Sequence, residues 1–200
     1  MTREAFWSLV RQTLFEPRDA ARRILSERLP LEALWIALLL VSVTISLLLS
    51  GLSHLGAMSE EQFGQIIQRS PAYSAPLVFA LIQWGRSIAT VFVFFWIGRM
   101  MGGRGTLEHI LAVLTWMQFM TFMIILGVLV VGVILPFAGS LIILIAFVWL
   151  IWVVIALLDE VNGFGSMLKA AGLLIVSQLG VTIGLSLFYE AVTGLFMRIS

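Results

Sequence analysis

The chain has 200 residues, 60% of them hydrophobic and 12% charged, with a formal net charge of +1 and a mean hydropathy of +1.07. Soluble domains are about half apolar and about a quarter charged, so these few charges argue against a water-soluble enzyme, and the hydrophobicity argues against disorder. The near-neutral balance gives no footprint for nucleic acid, and the absence of cysteine removes disulfides, thiol catalysis and thiolate metal sites.

The first thirty residues form a mixed-charge segment. Phe6, Trp7, Val10 and Leu14 recur at helical spacing among Arg3, Arg11, Arg18 and Arg22. Pro17, followed by Asp19, suits the first turn of a second short helix, to which Ile24, Leu25 and Leu29 give an apolar edge. Both pieces read as amphipathic interfacial helices, with Phe6 and Trp7 seated in the membrane interface and Arg11, Arg18 and Arg22 reaching lipid phosphates. The alternative is a plain juxtamembrane linker. A cleavable signal peptide would begin its apolar run earlier and lack these acids.

A spanning helix needs about 20 mostly apolar residues. The spacing predicts an all-α polytopic bundle with five transmembrane helices at about 31–53, 76–98, 110–132, 138–158 and 167–196, so that residues 31–200 form a five-span membrane domain after the amphipathic segment 1–30. Ile110 to Leu158 contains neither charge nor histidine and is long enough for two spans, with Gly132, Pro136 and Gly139 supplying the turn between them. The loop over 55–75 holds Glu60 and Glu61, and its 59–68 stretch suits a short amphipathic helix capped by Ser59. Nine Lys and Arg residues fall on the N-terminal side of this topology and only Arg69 and Arg198 on the other. The positive-inside rule then places the N-terminus in the cytoplasm and the C-terminus outside.

Polar groups inside a span are costly and must find partners. Arg86 is the only charge deep in a span; it lies about ten residues in, roughly 15 Å along the helix and near the middle of a ~30 Å hydrocarbon core. Gln118 on the third span and Gln178 on the fifth lie at similar depth. Arg86, Gln118 and Gln178 are therefore expected to converge in one polar intramembrane layer, with Glu190 as candidate counter-ion. Ser42, Ser46 and Ser50 form a four-residue-step stripe on the first span, and Gln178, Thr182, Ser186 and Glu190 another on the fifth. This seam reads as interhelical hydrogen bonding and close packing of small residues, with a solute or proton path as the alternative. Gly98-x-x-x-Gly102 and Gly180-x-x-x-Gly184 fit the same small-residue packing pattern.

Catalytic equipment is sparse. His54 and His109 fall on opposite predicted sides, and there is no His-Glu-x-x-His, no Gly-x-Ser-x-Gly and no phosphate-binding glycine loop. The expectation is a non-enzymatic protein without cofactor or metal. Asp159, Glu160 and Asn162 form the one acidic cluster on the cytoplasmic side. They read as a polar helix end leading into an Asn-Gly turn, with a cation site or a partner's basic patch as the alternative.

Three stretches carry a family likeness. Thr13-Leu14-Phe15-Glu16-Pro17 precedes the arginine-rich segment, Gly102-Gly103-Arg104-Gly105-Thr106-Leu107 leads into the third span, and Ala156 to Gly165 with Lys169-Ala170 leads into the fifth. Together they resemble the bacterial branch of the Yip family, five-span membrane proteins named for binding Ypt/Rab GTPases in eukaryotes. The resemblance implies a five-helix bundle with a cytoplasmic N-terminus and a role in membrane organisation or trafficking. The Asp-Leu-Tyr-Gly-Pro segment of eukaryotic members is missing here, so GTPase binding is not carried over. The function expected is that of a bacterial inner-membrane protein that binds membrane lipids, other integral membrane proteins or a second copy of itself, for instance as an accessory subunit. A small transporter or channel built on the Arg86 seam is the alternative.

Overall fold

The structure, a computed structural model, describes residues 3–27, 29–54, 75–134 and 136–199. Among these it forms seven helices and no strand: α1 (Arg3–Phe15), α2 (Pro17–Ser26), α3 (Leu31–His54), α4 (Pro76–Met100), α5 (Leu107–Ile134), α6 (Pro136–Asn162) and α7 (Met167–Ile199). The five from α3 onward are long and apolar enough to cross a membrane, with mean hydropathies from 1.7 to 3.3. The chain is thus an all-α membrane bundle preceded by two short helices. The helix expected over 59–68 lies outside the described residues.

Gly132 and Gly139 do not make the turn expected of them. Both are helical, and the break falls at Pro136, which opens α6. Proline lacks an N–H and cannot continue α5, yet its fixed φ suits the first position of a helix. At its other end α6 runs a turn beyond the expected Leu158 and carries Asp159 to Asn162 as its last turn.

The chain folds as two compact units. The first comprises 1–27, 89–113 and 151–200, the second 28–88 and 114–150. In the first, α1 and α2 form a hairpin. Leu9 and Thr13 on α1 and Ala20, Ala21 and Ile24 on α2 are buried, and the alanines allow close helix approach. Arg23 staples the pair by donating to Ala5 O and Ser8 Oγ, each at 3.1 Å. Deeper in this unit, Val91, Phe94, Leu111, Val153, Leu157 and Leu173 supply a core of fully enclosed side chains.

Two helix ends in this unit close in the same way. Gly102 (φ +87°) follows α4, and Gly103 N–H donates to Gly98 O at 2.8 Å while Gly102 N–H donates to Arg99 O at 3.0 Å. Gly163 (φ +63°) follows α6, and Phe164 N–H donates to Asp159 O and Gly163 N–H to Glu160 O, both at 3.2 Å. These are Schellman closures, in which a left-handed residue turns the chain and its neighbours satisfy otherwise orphaned carbonyls. The helices that follow begin with hydroxyl caps: Thr106 Oγ1 accepts from His109 N–H at 3.2 Å and Ser166 Oγ from Lys169 N–H at 3.5 Å.

Asn162 fills the space against the first closure. A Cβ on Gly103 would stand 2.5 Å from Asn162 Oδ1 and 2.7 Å from Gly98 O, and one on Gly98 would stand 2.7 Å from Asn162 Oδ1. Gly98 therefore serves close contact with α6. Gly180 packs more loosely, with 3.7 Å from its would-be Cβ to Val93. In the second unit, Leu34, Leu38, Ala80, Met117 and Met120 are buried, and Trp116 and Phe119 pack with ring centroids 5.6 Å apart.

Overpacking a closed site costs about 1–3 kcal/mol. Gly103→Ala is expected to destabilise by that amount, whereas Gly127→Ala, whose methyl group would meet nothing within 4 Å, leaves stability unchanged or raises it. Thermal unfolding of the two variants in detergent checks the contrast.

Candidate functional site

Helix carbonyls give the C-terminal end of a helix a partial negative charge, so acidic residues are disfavoured in its last turn. α6 nevertheless ends in Asp159-Glu160-Val161-Asn162, and the structure shows what offsets this. Arg18 Nη2 donates to Asp159 Oδ2 at 2.8 Å, and Arg22 Nε donates to Glu160 Oε1 at 3.0 Å. Arg18 and Arg22 are four residues apart on α2 and so share a face. Arg22 also pairs with Asp19 at 3.0 Å.

The two pairs differ in environment. Asp159 is almost wholly enclosed, its side chain 4% exposed, while Arg22 is 62% exposed and Glu160 28%. Asp159 spends its second oxygen on Ser166 N–H at 2.8 Å, just ahead of α7. One carboxylate thus joins α2, the end of α6 and the start of α7. Asn162, one turn further on, reaches the remaining connection. Its carbonyl accepts from Arg104 N–H at 2.9 Å, its Nδ2 donates to Leu158 O at 3.0 Å, and its Oδ1 lies against Gly98 and Gly103. The last turn of α6 is therefore a clasp that gathers the α1–α2 hairpin, the α4–α5 connection and the α6–α7 connection.

Beside the clasp lies an open recess of about 380 Å³. Phe15, Trp152 and Met167 give it an apolar side, and Glu16, Arg18, Asp19 and Arg22 a charged one. The second unit holds a separate polar cluster. Ser42 Oγ donates to Gln118 Oε1 at 3.1 Å, Gln118 Nε2 donates to Ser87 Oγ at 2.7 Å, and Ser87 Oγ donates to Gln83 O at 2.9 Å. Ser46 Oγ donates to Ser42 O at 2.8 Å. Among the described residues, the buried Trp84 Nε1 and Thr115 Oγ1, close in sequence to Ser87 and Gln118, have no hydrogen-bond partner.

The expected polar layer is placed as follows. Gln118 is held by two serines that were not part of it, while the side chains of Arg86, Gln178 and Glu190 are exposed on the protein surface. Among the residues expected at the lipid interface, Trp7 and Arg11 are exposed and Phe6 is half-buried, its ring edge-on to Trp7 at 5.7 Å. Arg18 and Arg22 are also exposed, and each guanidinium group holds a carboxylate of α6. Sequence reasoning left Asp159, Glu160 and Asn162 as an ordinary helix end. The signal that marks them is the pair of acids in a last turn where the helix dipole disfavours them, within one chain with two arginines at helical spacing.

A family model described as Yip1 domain matches residues 11–189. The chain belongs to the Yip family. No curated protein and no solved structure matches it. The matched range of this Yip protein takes in every residue of the clasp, from Arg18 to Ser166. The three stretches on which the likeness rests also converge there: 13–17 forms the corner ahead of α2, 102–107 is the connection lying against Asn162, and 156–165 is the last turn of α6 with its closure.

The pair with the enclosed carboxylate is expected to count for more than the other, with solvent screening on the side of Arg18, which is 47% exposed. A double-mutant cycle on Arg18→Ala and Asp159→Ala, read by unfolding in detergent, is predicted to give a coupling of about 1–2 kcal/mol. The same cycle on Arg22→Ala and Glu160→Ala is predicted to give about 0.2–1 kcal/mol and to fade as salt is raised.

Proposed function

We propose that this Yip protein is a non-enzymatic component of the bacterial inner (cytoplasmic) membrane that binds lipids or other integral membrane proteins and acts in membrane organisation or as an accessory subunit. The observation that carries this reading is the clasp. It holds a short helical hairpin against the ends of the spans and leaves Phe15, Trp152 and Met167 exposed beside a charged rim. Such a platform suits docking of a headgroup or a neighbouring helix. Phe6, Trp7 and Arg11 serve as interface anchors in this reading, and Arg18 and Arg22 hold the platform in place.

The proposed topology has a cytoplasmic N-terminus and a periplasmic C-terminus. It is supported by the distribution of Lys and Arg, nine on the N-terminal side against Arg69 and Arg198 on the other. The alternative, a small transporter or channel, draws support from the Ser42–Gln118–Ser87 chain with unpartnered Trp84 and Thr115 beside it in sequence.

A reporter active only in the cytoplasm is expected to work at the N-terminus and to fail after Ser200; activity at both ends would contradict an odd number of crossings. Purification in mild detergent, followed by identification of co-migrating species, is expected to recover a stoichiometric protein or lipid partner. A protein that purifies alone and changes ion or solute flux in liposomes supports the transporter reading instead.

A further inference from the structure

The recess beside the clasp is lined by both apolar and charged side chains. Trp152 lies ten residues before Asn162 on α6, about 15 Å from the helix end. Its apolar wall continues through Ala156 to Met167 and Phe15, the last 72% exposed. The charged rim lies at the corner between α1 and α2. Such a mixed lining suits a polar headgroup together with the start of an acyl chain. A volume of about 380 Å³ is at the small end of ligand sites, which suits a headgroup and the first part of a chain.

The charges decide which headgroup fits. The rim carries Arg18 and Arg22 against Glu16 and Asp19, and both arginines are already engaged by Asp159 and Glu160 behind them. The lining itself holds two carboxylates and two guanidinium groups, so the rim is balanced in charge. A rim that carries both signs complements a zwitterionic headgroup better than a purely anionic one. Glu16 is the acid left over. It stands at the position before α2, is exposed, does not cap that helix, and carries no side-chain hydrogen bond or ion pair among the described residues. A group bearing positive charge and several N–H donors complements it.

We propose that this recess binds a zwitterionic phospholipid with a primary ammonium headgroup, phosphatidylethanolamine. Its ammonium donates to Glu16, its phosphate lies towards the outward side of Arg18 and Arg22, and its acyl chain lies along Trp152. This rests on the lipid-binding half of the proposed function and narrows it to one headgroup class.

Native mass spectrometry of the protein in mild detergent, offered phosphatidylethanolamine, phosphatidylcholine or phosphatidylglycerol with matched acyl chains, tests the assignment. The wild type is expected to retain phosphatidylethanolamine about tenfold over phosphatidylglycerol and also above phosphatidylcholine, whose quaternary ammonium has no N–H to donate. Glu16→Gln is expected to bring the three lipids to within about twofold of one another, and Trp152→Ala to lower retention of all three alike. Equal retention of the three lipids by the wild type overturns the headgroup assignment and leaves lipid binding standing, as does a preference that survives in Glu16→Gln. Retention of none of them overturns both.

Discussion

Asp159 is a carboxylate enclosed by protein at the negative end of a 27-residue helix, a place where it is tolerated only with partners supplied from elsewhere in the chain. It has two. The guanidinium of Arg18 arrives from α2, and the N–H of Ser166 arrives from the start of α7. Removing either leaves part of a buried charge unmet. Ordinary helix-end chemistry is thereby turned into a requirement that α2 and α7 be present and in place. Asn162 extends the requirement to the α4–α5 connection, because its side chain occupies the room that Gly98 and Gly103 leave by having no Cβ.

The same turn separates what is fixed in the first unit from what is presented. Asp159, the Schellman closures and the capping hydroxyls are spent on hydrogen bonds that fix the helix ends. Phe15, Trp152, Met167 and Glu16 are left around an open recess. A membrane protein has no need of exposed charge and aromatic surface in such a corner for packing alone. The proposals on lipid and partner binding rest on this division, together with the family's five-span architecture.

Five spans, two amphipathic helices and the Yip likeness were legible in the residues because each depends on local quantities: runs of apolar residues about 20 long, 3.6-residue periodicity, proline and glycine punctuation. What was not legible depends on pairing across more than a hundred residues. Arg18 reads as a lipid-facing arginine until Asp159, 141 residues later, is found opposite it. Depth along the span marks Gln118 as a buried polar group, but not that Ser42 and Ser87 are the side chains that hold it. Depth along a span follows from residue count, whereas the face a side chain presents follows from packing, and the nearly uniform apolarity of α5 carries little information about that face. Gly132 and Gly139 illustrate a further limit, since glycine within a strongly apolar helix does not have to end it and Pro136 alone did so.

The central claim is that the last turn of α6 holds the α1–α2 hairpin in place. Hydrogen–deuterium exchange of the backbone amides of α1 and α2, compared between the wild type and Asp159→Ala in the same detergent, tests it most directly. The account predicts that exchange in residues 3–26 speeds up markedly in the variant, while the amides of α3 and the middle of α5 keep their wild-type protection. Unchanged exchange in α1 and α2 would contradict it, and would mean that the hairpin is held without Asp159, by its apolar contacts, Arg23 and the Arg22–Glu160 pair.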